Sequence, residues 1–485
     1  MTAARQLLGR HVALSGFVAF ALVAGIARVG NYNAPLVGDV TQFLYVGDIV
    51  AHGGTPYLDA AYSKGPLTAL LFAAIEPLAG TSTALVRLSV VPFAAAAALA
   101  LAGYVAHYAG RRVGALAGVG FAVLSGLQRL DGAEGKSEQY GVAPLYGALW
   151  LATRTGRWAA PGAGALVGCA VLINPAFVLG VPPVALQLWL SATGAVRRRK
   201  LSLAGAGLLA PVALACAWLA AAGALDDMLI QVGGQVTDAV RSEQTPTAAT
   251  PLAADLFSTR VLGLPPMVLW LPGLAGCALA LRDRRLRPPA LALGLVMVAT
   301  AVRVKAPTYS IDYQFYPAVP ALCGAIALGL ASLSVLSARR RALLAAAVLA
   351  PALWTLVVHP QIDLLGREPV DRVPQGREVY AVGNFVRRHT TPSQRIIVAG
   401  GRAEVYWVAR RRAPTRFFDA FGRNGDPHYP VERRRDLRRR PPAAVVIMST
   451  EHLRTERDMK PLIRSGRYVE AYSGAGSHVW LRRQP

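Results

Sequence analysis

The stretch Asn31–Leu67, NYNAPLVGDVTQFLYVGDIVAHGGTPYLDAAYSKGPL, is a polar island in an apolar chain. Inside it, Val40, Phe43, Leu44, Val46, Ile49 and Val50 recur at helical spacing, which predicts a helix over 40–51. Asp39 stands just before that helix, where an N-cap belongs. Gly53-Gly54-Thr55-Pro56 closes it with turn chemistry. Tyr57, Asp59 and Tyr62 then lead to Lys64-Gly65-Pro66. An acid, a short helix, two tyrosines and a lysine between apolar runs read as a working loop at a membrane surface.

Composition outside the island supports that reading. Of 485 residues, 54% are hydrophobic and 16% charged, against about 25% charged in soluble globular proteins. Lipid must therefore be part of the solvent. The net charge of +24 invites a nucleic-acid reading, but its distribution argues otherwise. Residues 1–357 hold 26 Lys and Arg against 14 Asp and Glu, and residues 358–485 hold 25 against 13. A membrane region, 1–358, with its first external loop at 31–83, is followed by one polar domain, 359–485. The four cysteines all fall in apolar stretches and read as small buried side chains. No Cys/His zinc spacing, HExxH, Walker loop or GxGxxG occurs.

Eleven apolar runs approach the length needed to cross a ~30 Å hydrocarbon core: 12–29, 84–106, 113–128, 139–153, 158–174, 176–195, 201–223, 261–281, 288–302, 317–337 and 342–358. Putting the N-terminus in the cytoplasm gathers 17 basic residues and one acid on the inner side, leaving 9 basic and 13 acidic residues outside. The expectation is a polytopic α-helical protein of the cytoplasmic (inner) membrane, with the C-terminal domain outside. Residues 66–80, which contain Glu76-Pro77, are too short to span and would invert the following loops. They are expected to lie as a helix on the outer surface. Arg433–Arg440 reads as a solvated face or an attraction to anionic headgroups.

Ionisable residues gathered at one depth on one side mark a site. Four external segments qualify: 31–65, 129–140 (RLDGAEGKSEQY), the long loop 224–260, and 303–316 (RVKAPTYSIDYQFY). Together they bring acids and cations beneath the polar domain. A transfer reaction on a lipid-linked phosphosugar needs this set. A carboxylate takes the proton of the acceptor hydroxyl, and cations stabilise the departing phosphate.

The order Asp39, amphipathic helix, Gly54-Thr-Pro-Tyr57-Leu-Asp59 and Lys64-Gly-Pro-Leu67 resembles the first external loop of GT-C-fold glycosyltransferases. The match is to those dependent on polyprenyl-phosphate sugars, including the aminoarabinose transferases of lipid A and the protein O-mannosyltransferases. Those usually read D-E-x-x-Y, G-x-x-P-Y and K-P-P-L; here the acid lacks its following Glu, and one Pro of the last motif is replaced by Gly65. The resemblance implies that Asp39 acts as base on the acceptor and that Lys64 lies near the lipid phosphate. It also implies a second acid before a later span, for which Glu138 is the best-placed match, with Asp131 and Glu134 as alternatives. Asn174 stands where relatives carry Lys, so phosphate binding is expected to rest on Arg303, Lys305 and Lys64. Tyr57, Tyr62 and Gln314 complete the expected substrate-binding set. No cofactor or metal is expected, although a diphosphate-dependent relative could hold a divalent ion between Asp39 and Glu138.

The resemblance thus implies an inverting transferase moving a sugar from a polyprenyl-phosphate donor to an envelope glycan, lipid or protein, with membrane lipids as its other partners. Two rivals are a transporter or flippase of lipid-linked saccharide and an inactive scaffold of the same fold. Transporters place ionisable groups near the bilayer midplane, whereas the acids of 1–357 map to segment ends and loops. In the polar domain, helices are expected over EVYAVGNFVRRHT, RAEVYWVARR and HLRTERDMKPLIRS. Strands are expected over RIIVAG, TRFFDAF and AAVVIMS, with a closing hairpin, YVEAYS and HVWLRR, around Gly474 and Gly476. That makes a small α/β domain. Tyr406 and Trp407 could stack on a sugar, with core packing the stronger reading.

Overall fold

The structure is a computed structural model; it describes residues 2–36, 38–127, 131–241, 264–305, 312–333, 374–399, 402–419, 426–448, 459–474 and 476–483. The chain divides into two compact units. The first comprises Met1–Tyr32, Arg87–Leu214 and Ser242–Arg367, and the second Asn33–Val86, Ala215–Arg241 and Glu368–Pro485. This grouping does not follow a single boundary near residue 358. The first loop and the segment after residue 215 pack with the tail.

The first unit is helical. Helices Thr2–Ile26, Val91–Ala109, Arg111–Leu124, Ser137–Ala152, Ala159–Ile173, Val181–Leu190, Leu264–Ala280, Arg287–Lys305 and Ala318–Ser332 coincide with expected apolar runs, and Gly194–Ala221 with another. The run 342–358 lies outside the described residues. Among the described residues, two helices, Thr83–Ala109 and Gly194–Ala221, are long and apolar enough by themselves to cross a membrane. Thr2–Ile26 has 25 residues, and the remaining helices named above fall short of the ~20 residues a straight crossing needs. Only 6% of the apolar window of Gly194–Ala221 is buried by protein, so its side chains face the surroundings. On Thr2–Ile26, Leu14, Val18, Leu22 and Ile26 form an exposed stripe at four-residue spacing. Apolar surface of this extent is stable against lipid, not water.

Small residues bring these helices close. A Cβ at Gly164 would overlap the carbonyl of Ala204, and one at Gly207 the carbonyl of Pro161. Such contact is how helices associate where apolar burial gives no advantage over lipid. Gly164→Ala should therefore lower the thermal midpoint in detergent, with overpacking costing about 1–3 kcal/mol. Gly205, with nothing within 4 Å of an added Cβ, should tolerate Ala or gain from it.

In the second unit the tail forms a four-stranded sheet of order β1-β2-β4-β3: β1 is Ile396–Ala399, β2 Ala444–Ile447, β3 Tyr468–Gly474 and β4 Ser477–Arg482. β1 and β2 are parallel, and the other neighbours are antiparallel. The hairpin turns at Gly476, whose φ of 88° suits glycine. Helices Pro374–His389 and Ala403–Ala409 lie where expected. Of HLRTERDMKPLIRS, Met459–Arg464 is helical and 451–458 lies outside the described residues.

Two expectations need correction. TRFFDAF forms no strand over its described part, 415–419; Ala61 donates its N–H to the Arg416 carbonyl at 2.9 Å, and Phe418 packs on Tyr45 at 4.0 Å between centroids. These contacts to the first loop replace a sheet partner. The expected loop 224–260 begins with the helix Leu225–Arg241, and 242–260 lies outside the described residues. The arginine run follows the helix Tyr429–Arg439 and its C-cap Arg440; Arg434, Arg435, Arg438, Arg439 and Arg440 are exposed, as a solvated face requires, and Arg433 alone of the six turns inward, against Tyr429.

Candidate active site

Asp39 opens the helix Asp39–Ala51 as its first residue, and the N-cap is Gly38 rather than Asp39. Gly38 takes φ 68°, ψ −136°, a backbone state open to glycine, and its carbonyl accepts from the Thr41 hydroxyl at 2.7 Å. The Asp39 carboxylate thus meets the positive end of the helix dipole. The tail holds this corner: Gly38 donates its N–H to Glu404 at 2.7 Å, and Leu36 its N–H to the Tyr380 hydroxyl at 3.0 Å.

Tyr57 and Tyr62 are buried, and they shape the loop from inside. Tyr57 has φ 71°, a strained value for a bulky residue. Its hydroxyl donates to the Lys64 carbonyl at 2.7 Å, and its own carbonyl accepts from Gln231 at 3.0 Å and Arg416 at 3.2 Å. Burial first, then Tyr57 and Asp39, push the Tyr62 phenol well above its ordinary pKa. Lys64 is half-buried, and among the described residues its ammonium has no ion pair. Arg416 binds Asp227, Glu432 at 3.0 Å and Asp426 at 3.4 Å, tying this loop to the helix Leu225–Arg241 and to the tail. Glu76 is buried and paired with Arg410, and Gly80 accepts from Trp407 Nε1 at 3.2 Å. The helix Pro66–Ala79 is thus bound to the tail through its acid. Tyr406 and Trp407 are buried, in keeping with core packing.

In the first unit, Glu138 sits in the first turn of Ser137–Ala152 with 1% exposure. Arg303 pairs with it, and Asn174 Nδ2 donates to its Oε1 at 3.0 Å and to Ser137 Oγ at 2.9 Å. Ser137 Oγ donates to the other carboxylate oxygen at 3.1 Å. Asn174 also caps the turn Pro175–Gly180, accepting from Ala176 N at 3.0 Å. Asn174 thus orients the acid through a neutral amide. Phe177 lies against the Arg303 guanidinium at 5.9 Å, next to a cavity of about 20 Å³, room for about one water.

Sequence reading missed Lys136. It is buried, pairs with Glu134 at 3.5 Å and Asp131 at 3.8 Å, and lies 5.0 Å from the Tyr313 ring centroid. Asp131 and Glu134 are therefore partners of a lysine. The signal was a cation set between acids in a nominally external loop. Arg28, fully buried, was missed too; it donates to Gly132 O at 3.1 Å, Ser125 O at 2.8 Å and Ser125 Oγ at 2.9 Å, fixing the approach to that loop. Gln314 lies in the turn Asp312–Phe315, its side-chain carbonyl buried without a partner among the described residues. Lys305 ends its helix, and its side chain lies outside the described residues. Among the described residues no three His, Cys, Asp or Glu side chains gather as a ligand set.

ArnT from Cupriavidus metallidurans, solved bound to undecaprenyl phosphate, superposes with a TM-score of 0.65 over 96% of this chain and 97% of its own, at 16% identity. The chain has the GT-C fold. The ArnT apo structure matches at 0.63 and 15% identity, over 99% of this chain and 98% of its own. The oligosaccharyltransferase AglB of Archaeoglobus fulgidus, solved with an inhibitory peptide and a dolichol-phosphate, matches at 0.53 and 13% identity, over 98% of this chain and 75% of its own. No protein-family model matches the sequence, and no curated protein does. GT-C proteins of these kinds are polytopic membrane proteins, which accords with the bare apolar helices of the first unit.

Proposed function

We propose that the chain is an inverting glycosyltransferase moving a sugar from a polyprenyl-phosphate donor to an envelope acceptor at the outer face of the cytoplasmic membrane. The observation that carries the reading is the end-to-end likeness to ArnT in a structure bound to undecaprenyl phosphate. Asp39 takes the acceptor proton as the oxygen attacks the anomeric carbon and the C–O bond to phosphate breaks on the opposite face. Lys64, with no carboxylate partner among the described residues, neutralises phosphate charge. Glu138, fixed by Arg303, Asn174 and Ser137, orients a sugar or acceptor hydroxyl. The reading assigns phosphate charge to side chains, without a metal ion.

The test is transfer from a synthetic undecaprenyl-phosphate sugar to extracted envelope material by the purified chain in lipid nanodiscs. Lys64→Ala should cut kcat/KM for the donor by about 100-fold and leave the acceptor KM within about twofold. A selective change in acceptor KM would remove the phosphate role of Lys64.

A further inference from the structure

The second unit contains a cleft of about 850 Å³ between the tail and the helices Asp39–Ala51 and Pro66–Ala79. That is the size of a pocket for a multi-ring ligand. Five arginines line it against two carboxylates, Asp48 and Glu76. Both acids are engaged: Arg412 binds Asp48 at 2.9 Å, and Arg410 binds Glu76. Arg411 between them is buried and donates to carbonyls at the end of the helix Pro374–His389 and to the Thr390 hydroxyl, with no carboxylate partner among the described residues. Burial, then the neighbouring Arg387, lowers its pKa. Arg387 and Arg395 are exposed at the cleft, and the Arg395 guanidinium donates to Ala413 O at 3.1 Å. Among the described residues no acid pairs with these three guanidinium groups.

A second cleft, of about 530 Å³, shares the Arg395 and Arg412 wall and carries six arginines against three carboxylates. Two adjoining basic hollows suit a ligand with several negative groups along its length. Guanidinium forks match planar carboxylates and phosphate. None of the exposed large apolar side chains lines the larger cleft, whereas a lipid-docking surface would pair its cations with such groups.

We propose that these joined clefts bind an acidic glycan, a saccharide chain bearing carboxylate or phosphate groups, through Arg387 and Arg395. Its role as acceptor rests on the transfer reaction proposed above; its binding does not.

The test uses the full chain in phosphatidylcholine nanodiscs, with fluorescence anisotropy of a labelled oligogalacturonate and of a neutral dextran oligomer of equal length. Oligogalacturonate should bind, weaken steeply with salt, and lose at least 10-fold in affinity in R387A/R395A. The control R464A/R467A, outside both clefts, should bind like the parent, and both variants should keep its thermal midpoint. Equal binding of the two oligomers, or an unchanged affinity in R387A/R395A, overturns the proposal. So does binding that appears only in phosphatidylglycerol nanodiscs, which would make the surface a lipid contact. Loss of transfer with binding intact would count against the reaction and not against this site.

Discussion

Asp39→Asn should reduce sugar transfer by about 10² to 10⁴-fold, the range that a positioned general base contributes. The amide fits the same space at the start of the helix but cannot take a proton. Gly38, whose φ of 68° sets the corner, is untouched, and so is its bond to Glu404. The thermal midpoint should move by no more than a few degrees, and donor-lipid binding should persist. Asp39→Glu should restore part of the rate, because the function returns with a misplaced oxygen. Full transfer by Asp39→Asn would remove the residue from the chemistry.

Glu138→Ala should damage the fold as well as the reaction. The carboxylate is buried and is the partner of Arg303, so its removal leaves a guanidinium with no counter-charge among the described residues. Breaking a buried pair from one side costs about 3–5 kcal/mol. The amide of Asn174 loses its 3.0 Å acceptor as well. The double variant Glu138→Gln/Arg303→Gln removes both charges and should regain most of the thermal stability while staying inactive. Thermal unfolding and transfer, measured on the single and double variants, separate the two roles. Equal stability of Glu138→Ala and the parent would show the pair to be dispensable for folding.

Local signals predicted the elements well where local physics decides them. The apolar runs among the described residues became helices because apolar length is their cause, and the helix after Asp39 followed from Phe43, Leu44 and Val46 at helical spacing. The parts that escaped reading depend on partners far along the chain. Arg303 and Glu138 are 165 residues apart, and Arg412 and Asp48 are 364 apart; no periodicity links them. Leu225–Arg241 escaped because its acids read as loop residues, although Gln231 fixes the Tyr57 carbonyl and the Tyr62 N–H. TRFFDAF has strand composition, yet Arg416 serves as an ion-pair centre and its carbonyl binds Ala61. Lys136 was hidden by its neighbours, since a lysine among three acids reads as solvated until its burial is known.

The bond from Gly38 to Glu404 spans 366 residues. At about 5–20 residues per second, a ribosome takes roughly 20–70 s to supply the second partner after the first. During that interval the Asp39 corner lacks its clamp, and the ring of Tyr45 waits for Phe418. Biogenesis must therefore keep the early-made Asp39 segment soluble and uncommitted until residue 404 has left the tunnel.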